Sequence, residues 1–192
     1  MNGSCNNLEF KFDELIENFF DLIRNGQVEI YNEFSLQHEV GIFLRNCISN
    51  RKIQFERNVS HFGWEKKEFY KKEIDLCVLG DSYPDCAIEL KYPRNGRHPE
   101  EMFSFCKDIA FVEQLIQAGF SSGYFLVVTE DPLFYSGGTS GIYGLFRGGR
   151  SITGKIQKPT GEKDTHVSVL GSYKADWKPV KDKMVYLSLI HI

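Results

Sequence analysis

The chain has 192 residues and a mass of 22.2 kDa, which at roughly 100 to 200 residues per domain describes one domain able to build its own core. Hydrophobic residues make up 42% and aromatics 14%, with 16 phenylalanines among them, and this composition excludes disorder over the whole chain. Against 23 Lys and Arg stand 26 Asp and Glu, a net charge of −3, so contact with a polyanion requires a local basic patch, and a histone-like or polybasic coat protein is excluded.

The cysteines Cys5, Cys47, Cys77, Cys86 and Cys106 are odd in number, widely spaced and without a C-x-x-C pair. They read as reduced thiols of a cytoplasmic protein rather than as a zinc or redox site. The start, Met1 to Asn7, has neither the basic nor the apolar region of a secretory leader. Apolar runs such as Tyr124 to Val128 fall far short of the ~20 residues of a membrane helix. The expectation is a soluble protein with no membrane contact.

In chain order, Leu8, Phe12, Leu15, Ile16, Phe19, Leu22 and Ile23 recur at three- and four-residue steps and end at Asn25-Gly26, which predicts an amphipathic helix over 8–25. A second helix is expected from Asn32 to Ser49, with Leu36, Val40, Phe43, Leu44 and Cys47 as its stripe. The period then changes to two, giving strands over Ile53 to Ser60, Lys72 to Leu79 and Cys86 to Tyr92, the last two joined by the turn chemistry of Gly80 to Asp85. Pro99, Glu100 and Glu101 suit a helix's first turn, and Met102, Phe105, Cys106, Ile109, Val112, Leu115 and Ile116 continue a third helix to Gly119. Gly123 to Thr129 is a short, almost wholly apolar strand, as expected where helices cover both faces of a sheet. Ser136 to Gly161 holds eight of the 17 glycines together with Arg147, Arg150, Lys155 and Lys158. It reads as a loop-rich, locally basic connector, with a substrate-facing loop as the alternative. Met184 to Ile192 is apolar enough to be a buried or paired strand.

The segment that carries chemistry runs from Lys72 to Leu79 and, after the turn, from Cys86 to Pro93. Folded as a hairpin centred on Ser82, it places Asp75 opposite Glu89, Cys77 opposite Ala87 and Leu76 opposite Ile88, because antiparallel partners share a constant index sum. One face is then Ile74, Leu76, Val78, Ile88 and Leu90. The other carries Asp75, Glu89 and Lys91. Two carboxylates at cross-strand distance repel unless a cation lies between them. Mg²⁺ takes one or two carboxylates and shares the rest of its shell with water and a substrate phosphate, while a lysine beside the attacking water orients it or neutralises developing charge.

Asp75, thirteen residues, then Glu89-Leu90-Lys91 resembles the D...(D/E)-x-K signature of the PD-(D/E)XK nuclease superfamily, the restriction-endonuclease-like fold. The resemblance extends over about Asn32 to Glu130 and implies an α/β fold with an αβββαβ core and a mixed central sheet flanked by helices, within a single domain spanning 1–192. The first helix and the segment 136–192 are additions to that core. It implies a Mg²⁺-dependent endonuclease, with Mn²⁺ as substitute, that hydrolyses DNA phosphodiester bonds in restriction, repair or recombination. Asp75, Glu89 and the Leu90 carbonyl would be metal ligands and Lys91 would act on the attacking water. In this superfamily the helix before the meander often donates a further glutamate; Glu39 and Glu33 both border the stripe of the second helix, and Glu39 is preferred. Arg94 and Arg97 after the E-x-K strand, and Lys107 and Gln114 on the following helix, would contact phosphates. A literal Pro84-Asp85 is set aside, since Asp85 sits at the turn end of the hairpin, roughly 13 Å from Glu89 at ~3.3 Å per residue.

Other features are weaker. The five histidines lack metal-binding spacing and Gly138-Thr139-Ser140-Gly141 lacks the Gly-Lys-Ser/Thr of a P-loop. The second class of function is a non-catalytic nucleic-acid-binding or regulatory module on a nuclease-like scaffold, favoured by the acidic net charge; a third possibility is a subunit that needs a protein partner to read sequence. Since one centre cuts one strand, a homodimer is expected, with the first helix and the strand ending at Ile192 free to form its interface.

Overall fold

The computed structural model describes residues 12–81, 84–94, 96–161 and 164–191. The start of the first predicted helix, the hairpin centre Ser82 and the terminal Ile192 lie outside these residues.

Helix α1 spans Phe12–Arg24 and buries Phe12, Ile16, Phe19 and Ile23 of the stripe read from the sequence, together with Phe20, while Leu15 and Leu22 are half-buried. Helix α2 spans Glu33–Cys47. Its start is fixed by Asn32, whose side-chain oxygen accepts from Ser35 N–H at 2.8 Å while the Asn32 N–H donates to Ser35 Oγ at 3.0 Å. Such a reciprocal cap contributes about 1 kcal/mol, and here it places Glu33 and Phe34 in the first turn. Strands β1 (Lys52–Asn58), β2 (Glu73–Leu79) and β3 (Pro84–Lys91) form the antiparallel meander. Pro84 is tolerated because it stands first in its strand, where no ladder donor is required.

Helix α3 (His98–Ala118) begins with Pro99, Glu100 and Glu101 and stops at Gly119, whose φ of 132° lies in a region open to glycine. It returns the chain to β4 (Ser122–Thr129), which pairs parallel to β3. The βαβ crossover puts α3 on one face of the sheet, while α1 and α2 cover the other. That arrangement explains why β4 is buried along almost its whole length: Tyr124, Leu126 and Val128 join the core beneath α1 and α2, and Phe125 and Val127 join the core beneath α3.

The sheet has six strands in the order β1-β2-β3-β4-β8-β7. Strand β8 (Met184–His191) pairs with β4 on one side and with β7 (Lys178–Lys181) on the other. The architecture is thus α/β, with a mixed sheet containing one parallel pair and helices on both faces. Neither α1 nor β8 is free to form an interface between copies, contrary to expectation. The apolar side chains of α1 are spent in the domain's own core, and β8 is an interior strand.

The glycine-rich stretch also differs from expectation. Instead of a solvated connector, it contains a one-turn helix α4 (Tyr143–Phe146) and strand β5 (Ile152–Gln157), which pairs with β6 (His166–Tyr173) in a separate two-stranded sheet packed on α3. Ile142, Leu145, Phe146, Ile152 and Ile156 are buried. Arg147 donates to the carbonyls of Leu133 and Gly138 and lies over the Tyr143 ring at 3.8 Å. The glycines supply close approaches: a Cβ at Gly144 would stand 2.6 Å from the Thr139 carbonyl oxygen.

Candidate functional site

The register of β2 on β3 is the one read from the sequence, with Leu76 opposite Ile88, Cys77 opposite Ala87 and Val78 opposite Cys86. One step beyond, Asp75 and Glu89 cross-link the strands reciprocally. Asp75 Oδ2 accepts the Leu90 N–H at 2.8 Å, and Glu89 Oε1 accepts the Asp75 N–H at 3.2 Å. Their face is not a half-exposed surface, because α3 lies over it. Glu89 has no solvent exposure, and Asp108 of α3, which meets the same cluster, is only 2% exposed.

The cation between the two carboxylates is a side chain. Lys71, in the irregular segment before β2, donates to Glu89 Oε2 and lies 3.5 Å from Asp75 Oδ1 and 3.3 Å from Asp108 Oδ1. Lys91, expected beside this group, contacts Glu33 Oε1 at 3.3 Å, the Leu90 carbonyl at 3.2 Å and Asp108 Oδ2 at 3.8 Å. Glu33 also accepts the Tyr92 N–H at 3.2 Å. Four carboxylates, those of Glu33, Asp75, Glu89 and Asp108, therefore face the ammonium groups of Lys71 and Lys91, leaving an excess of negative charge. Asp108 Oδ2 is buried and makes no hydrogen bond.

Burial first, and then the Asp75 charge, drives the Glu89 carboxyl well above the ordinary range, while Lys71 pulls it back. Burial likewise raises Asp108 against the opposing pull of Lys91 and Lys71. For both lysines burial favours loss of the proton, but the surrounding carboxylates outweigh it and raise them, Glu89 foremost at Lys71 and Asp108 at Lys91. The shifts of Glu89 and Lys71 favour opposite states of one pair. The charged lysine is the secure member, since it answers several carboxylates at once; the excess of acid is what resists ionisation.

The backbone beneath the cluster is distorted. Glu56 of β1 has φ of 49°, a left-handed conformation uncommon outside glycine. Its neighbours pair with Leu76 and Ile74, so Glu56 stands opposite Asp75. There the Asp75 carbonyl takes Gln37 Nε2 at 2.6 Å, and the same amide reaches Glu56 Oε1 at 2.6 Å. A cleft of about 310 Å³ opens here, lined by Glu33, Phe34, Gln37, Glu56, Lys71 and Lys91 among others.

The structure brings together Asp75, Glu89, Leu90 and Lys91, but not all the expected residues. Glu39 pairs with His38 at 3.4 Å and lines an adjoining cavity of about 470 Å³ that shares Phe34 and Gln37 with the cleft; Glu33 is the α2 glutamate that contacts Lys91. Gln114 spends its amide on the loop before Lys71, accepting from Tyr70 N–H and donating to the Glu68 carbonyl, both at 2.9 Å. Arg94 and Arg97 are exposed beyond β3, and Lys107 is half-buried on α3. His98 is held by Asp131 at 2.7 Å. Asp85 pairs with Arg51 at the other end of the hairpin. Sequence reasoning missed Lys71, Gln37 and Glu56, and left Asp108 as a solvated residue of the helix after the E-x-K strand, whereas it is buried. Only Asp108 carries a signal: it lies three residues after Phe105 and four before Val112, a carboxylate on an apolar stripe.

Hard oxygen donors such as these suit Mg²⁺ or Mn²⁺, and the excess charge together with the orphaned Asp108 oxygen suits an added cation. Yet among the described residues no three His, Cys, Asp or Glu side chains are placed to hold a metal ion: the carboxylates are fanned around the Lys71 ammonium. No helix among the described residues is long and apolar enough to cross a membrane. No family model, no curated protein and no solved structure matches this chain.

Proposed function

We propose that the chain is a metal-dependent deoxyribonuclease of the PD-(D/E)XK type, which hydrolyses phosphodiester bonds with Mg²⁺ or Mn²⁺ as cofactor. The observation that carries this reading is the register-matched pair of half-buried Asp75 and buried Glu89 with Lys91 two residues on, set beneath α3 at the edge of an open cleft. Asp75, Glu89 and the Leu90 carbonyl would hold the cation, and Asp108 is a further carboxylate beside them. A divalent ion there supplies electrophilic charge for a phosphoryl oxygen. Glu33 steers the Lys91 ammonium over the Leu90 carbonyl, where it can orient a water or meet charge gathering on the phosphate. Each chain carries one such centre, so one copy nicks a duplex, and cutting both strands requires two copies, which a twofold homodimer supplies.

In the test, supercoiled plasmid is incubated with the wild type and with Lys91→Ala in Mg²⁺ or Mn²⁺. The wild type should relax or linearise it. Lys91→Ala should lose at least about a hundredfold in rate, the lower range for a group acting on proton transfer, while keeping its circular dichroism spectrum. A wild type inert on every DNA form in both metals sinks the reading. One observation favours a second reading, a non-catalytic nucleic-acid-binding module: Lys71 already answers the carboxylates without any metal. DNA binding by a folded protein that never takes up Mn²⁺ would select it.

A further inference from the structure

We infer that Lys71 is an exchangeable internal cation, whose ammonium fills the position a divalent ion takes among Asp75, Glu89 and Asp108 and is expelled into the cleft when the ion enters. The inference rests on the metal-dependent reading above and adds to it a residue outside the D...E-x-K pattern. Three separate elements, β2, β3 and α3, each contribute one carboxylate to the same ammonium. These are hard, anionic oxygens, the donors Mg²⁺ and Mn²⁺ prefer. One ammonium leaves the cluster short of positive charge even with Lys91 beside it, and the buried Asp108 Oδ2 is left without a hydrogen bond. Replacing a single charge by a double one corrects both.

Lys71 is also placed to leave. Its backbone precedes β2, whose ladder with β1 begins at Glu73, so no sheet bond fixes residue 71 itself. The approach is set instead by Gln114, which clasps Glu68 and Tyr70, and by the Val59 N–H donating to the Lys72 carbonyl at 2.9 Å. The side chain is one quarter exposed and lines the cleft, so the ammonium reaches water by rotating its flexible stem. No bond is made or broken. The exchange trades a salt-bridged ammonium for a hydrated one, and a hydrated ion for a carboxylate-bound one.

The first measurement is calorimetric titration of Mn²⁺ into the metal-free wild type and Lys71→Met. Removal of a competing unit charge at contact distance should tighten Mn²⁺ binding by on the order of tenfold or more. Equal or weaker binding by a folded Lys71→Met overturns the inference. The second measurement uses only the wild type, in case the variant does not fold. Its lysines are labelled with an amine-reactive ester, with and without Mn²⁺, and mapped by mass spectrometry. Lys71 should be protected without the ion and labelled several-fold faster with it, while Lys178, paired with Glu17 away from the cluster, stays unchanged. A Lys71 rate indifferent to saturating Mn²⁺ overturns the inference, as does a wild type that binds no Mn²⁺. Tighter binding by Lys71→Met without any DNA cleavage would leave the exchange standing and remove the nuclease reading. Cleavage by the wild type with unchanged Mn²⁺ affinity in Lys71→Met would do the reverse.

Discussion

A carboxylate with no solvent contact, such as Glu89, is tolerated in its ionised form only when hydrogen bonds and opposite charge replace the water it has lost. Glu89 has both: the Asp75 N–H on one oxygen and the Lys71 ammonium on the other. Glu89→Ala would strip Lys71 of its closest partner and free an N–H beneath α3. Asp75 and Asp108 still answer Lys71, so the expected loss is about 1–3 kcal/mol, the range for a buried donor left without its acceptor, read from the urea midpoint; a loss under about 1 kcal/mol would show that water replaces the carboxylate freely. The Asp75 and Glu89 pairing was legible in the sequence because strand alternation and a constant index sum fix which residues meet, whatever surrounds them. Lys71 was not, since it belongs to no periodic element and its position depends on a loop pinned by Gln114. The choice between Glu33 and Glu39 was not legible either, since both border the stripe of α2 and only tertiary packing decides which turn of the helix meets Lys91. The Asn32 and Ser35 cap starts it one residue before Phe34, and the first turn then presents Glu33 to Lys91.

At the scale of elements, α3 is the shared wall. Its apolar residues close the sheet, Asp108 enters the charged cluster, and Glu113 anchors the outlying β5 and β6 ribbon. Glu113 Oε2 accepts from Leu170 N–H at 2.8 Å, and Oε1 accepts from Gly171 N–H at 2.6 Å and the Tyr173 hydroxyl at 2.8 Å. An isolated two-stranded ribbon is at best marginally stable in water, so this triple acceptor and the burial of Val167 and Val169 hold it in place. Glu113→Ala removes the acceptor of two part-buried backbone donors. At about 1–2 kcal/mol for each, the lower part of the range for an unsatisfied group, it should cost about 2–4 kcal/mol and raise hydrogen exchange in 166–173 more than in β4. Uniform exchange across both regions would show that the ribbon is not held through Glu113. The elements from α1 to β4 were legible because their apolar periods are long and clean. The ribbon and β7 were not: a glycine and two serines dilute the alternation of His166 to Tyr173, and β7 has four residues of which one is proline. Tertiary packing on α3, rather than local propensity, makes them strands.

At the scale of the whole molecule, an acidic chain of net charge −3 would act on DNA only by concentrating its cations where the backbone of the duplex lies. The glycine-rich segment gathers cations along one groove. A groove of about 640 Å³ between α4 and β5 is lined by Arg150, Lys155 and Lys158, with Ser151, Thr153 and Gln157 as neutral donors and, among the described residues, no carboxylate. Arg150 is turned inward to the Gly141 carbonyl, which leaves Lys155 and Lys158 as the charges facing outward. Beyond Lys158 the chain meets the first turn of α3, where Thr160 donates to Glu100, next to Glu101 at the rim of the Lys91 cluster. A duplex running from this groove to the cleft would pass the first turn of α3, where exposed Arg97 neighbours Glu100 and Glu101. Each phosphate contact adds about 0.9 to the slope of log affinity against log salt. The double variant Lys155→Glu with Lys158→Glu should lower that slope by about 2 and weaken binding in EDTA by on the order of tenfold near 100 mM salt, measured by fluorescence anisotropy on a labelled duplex. Lys91→Ala, which removes one charge held by Glu33 and Asp108 inside the cluster, should change the slope by less than about 1. If the double variant keeps the wild-type slope, the duplex does not run along this groove, and Arg94, Arg97 and Lys107 are the next cations to test.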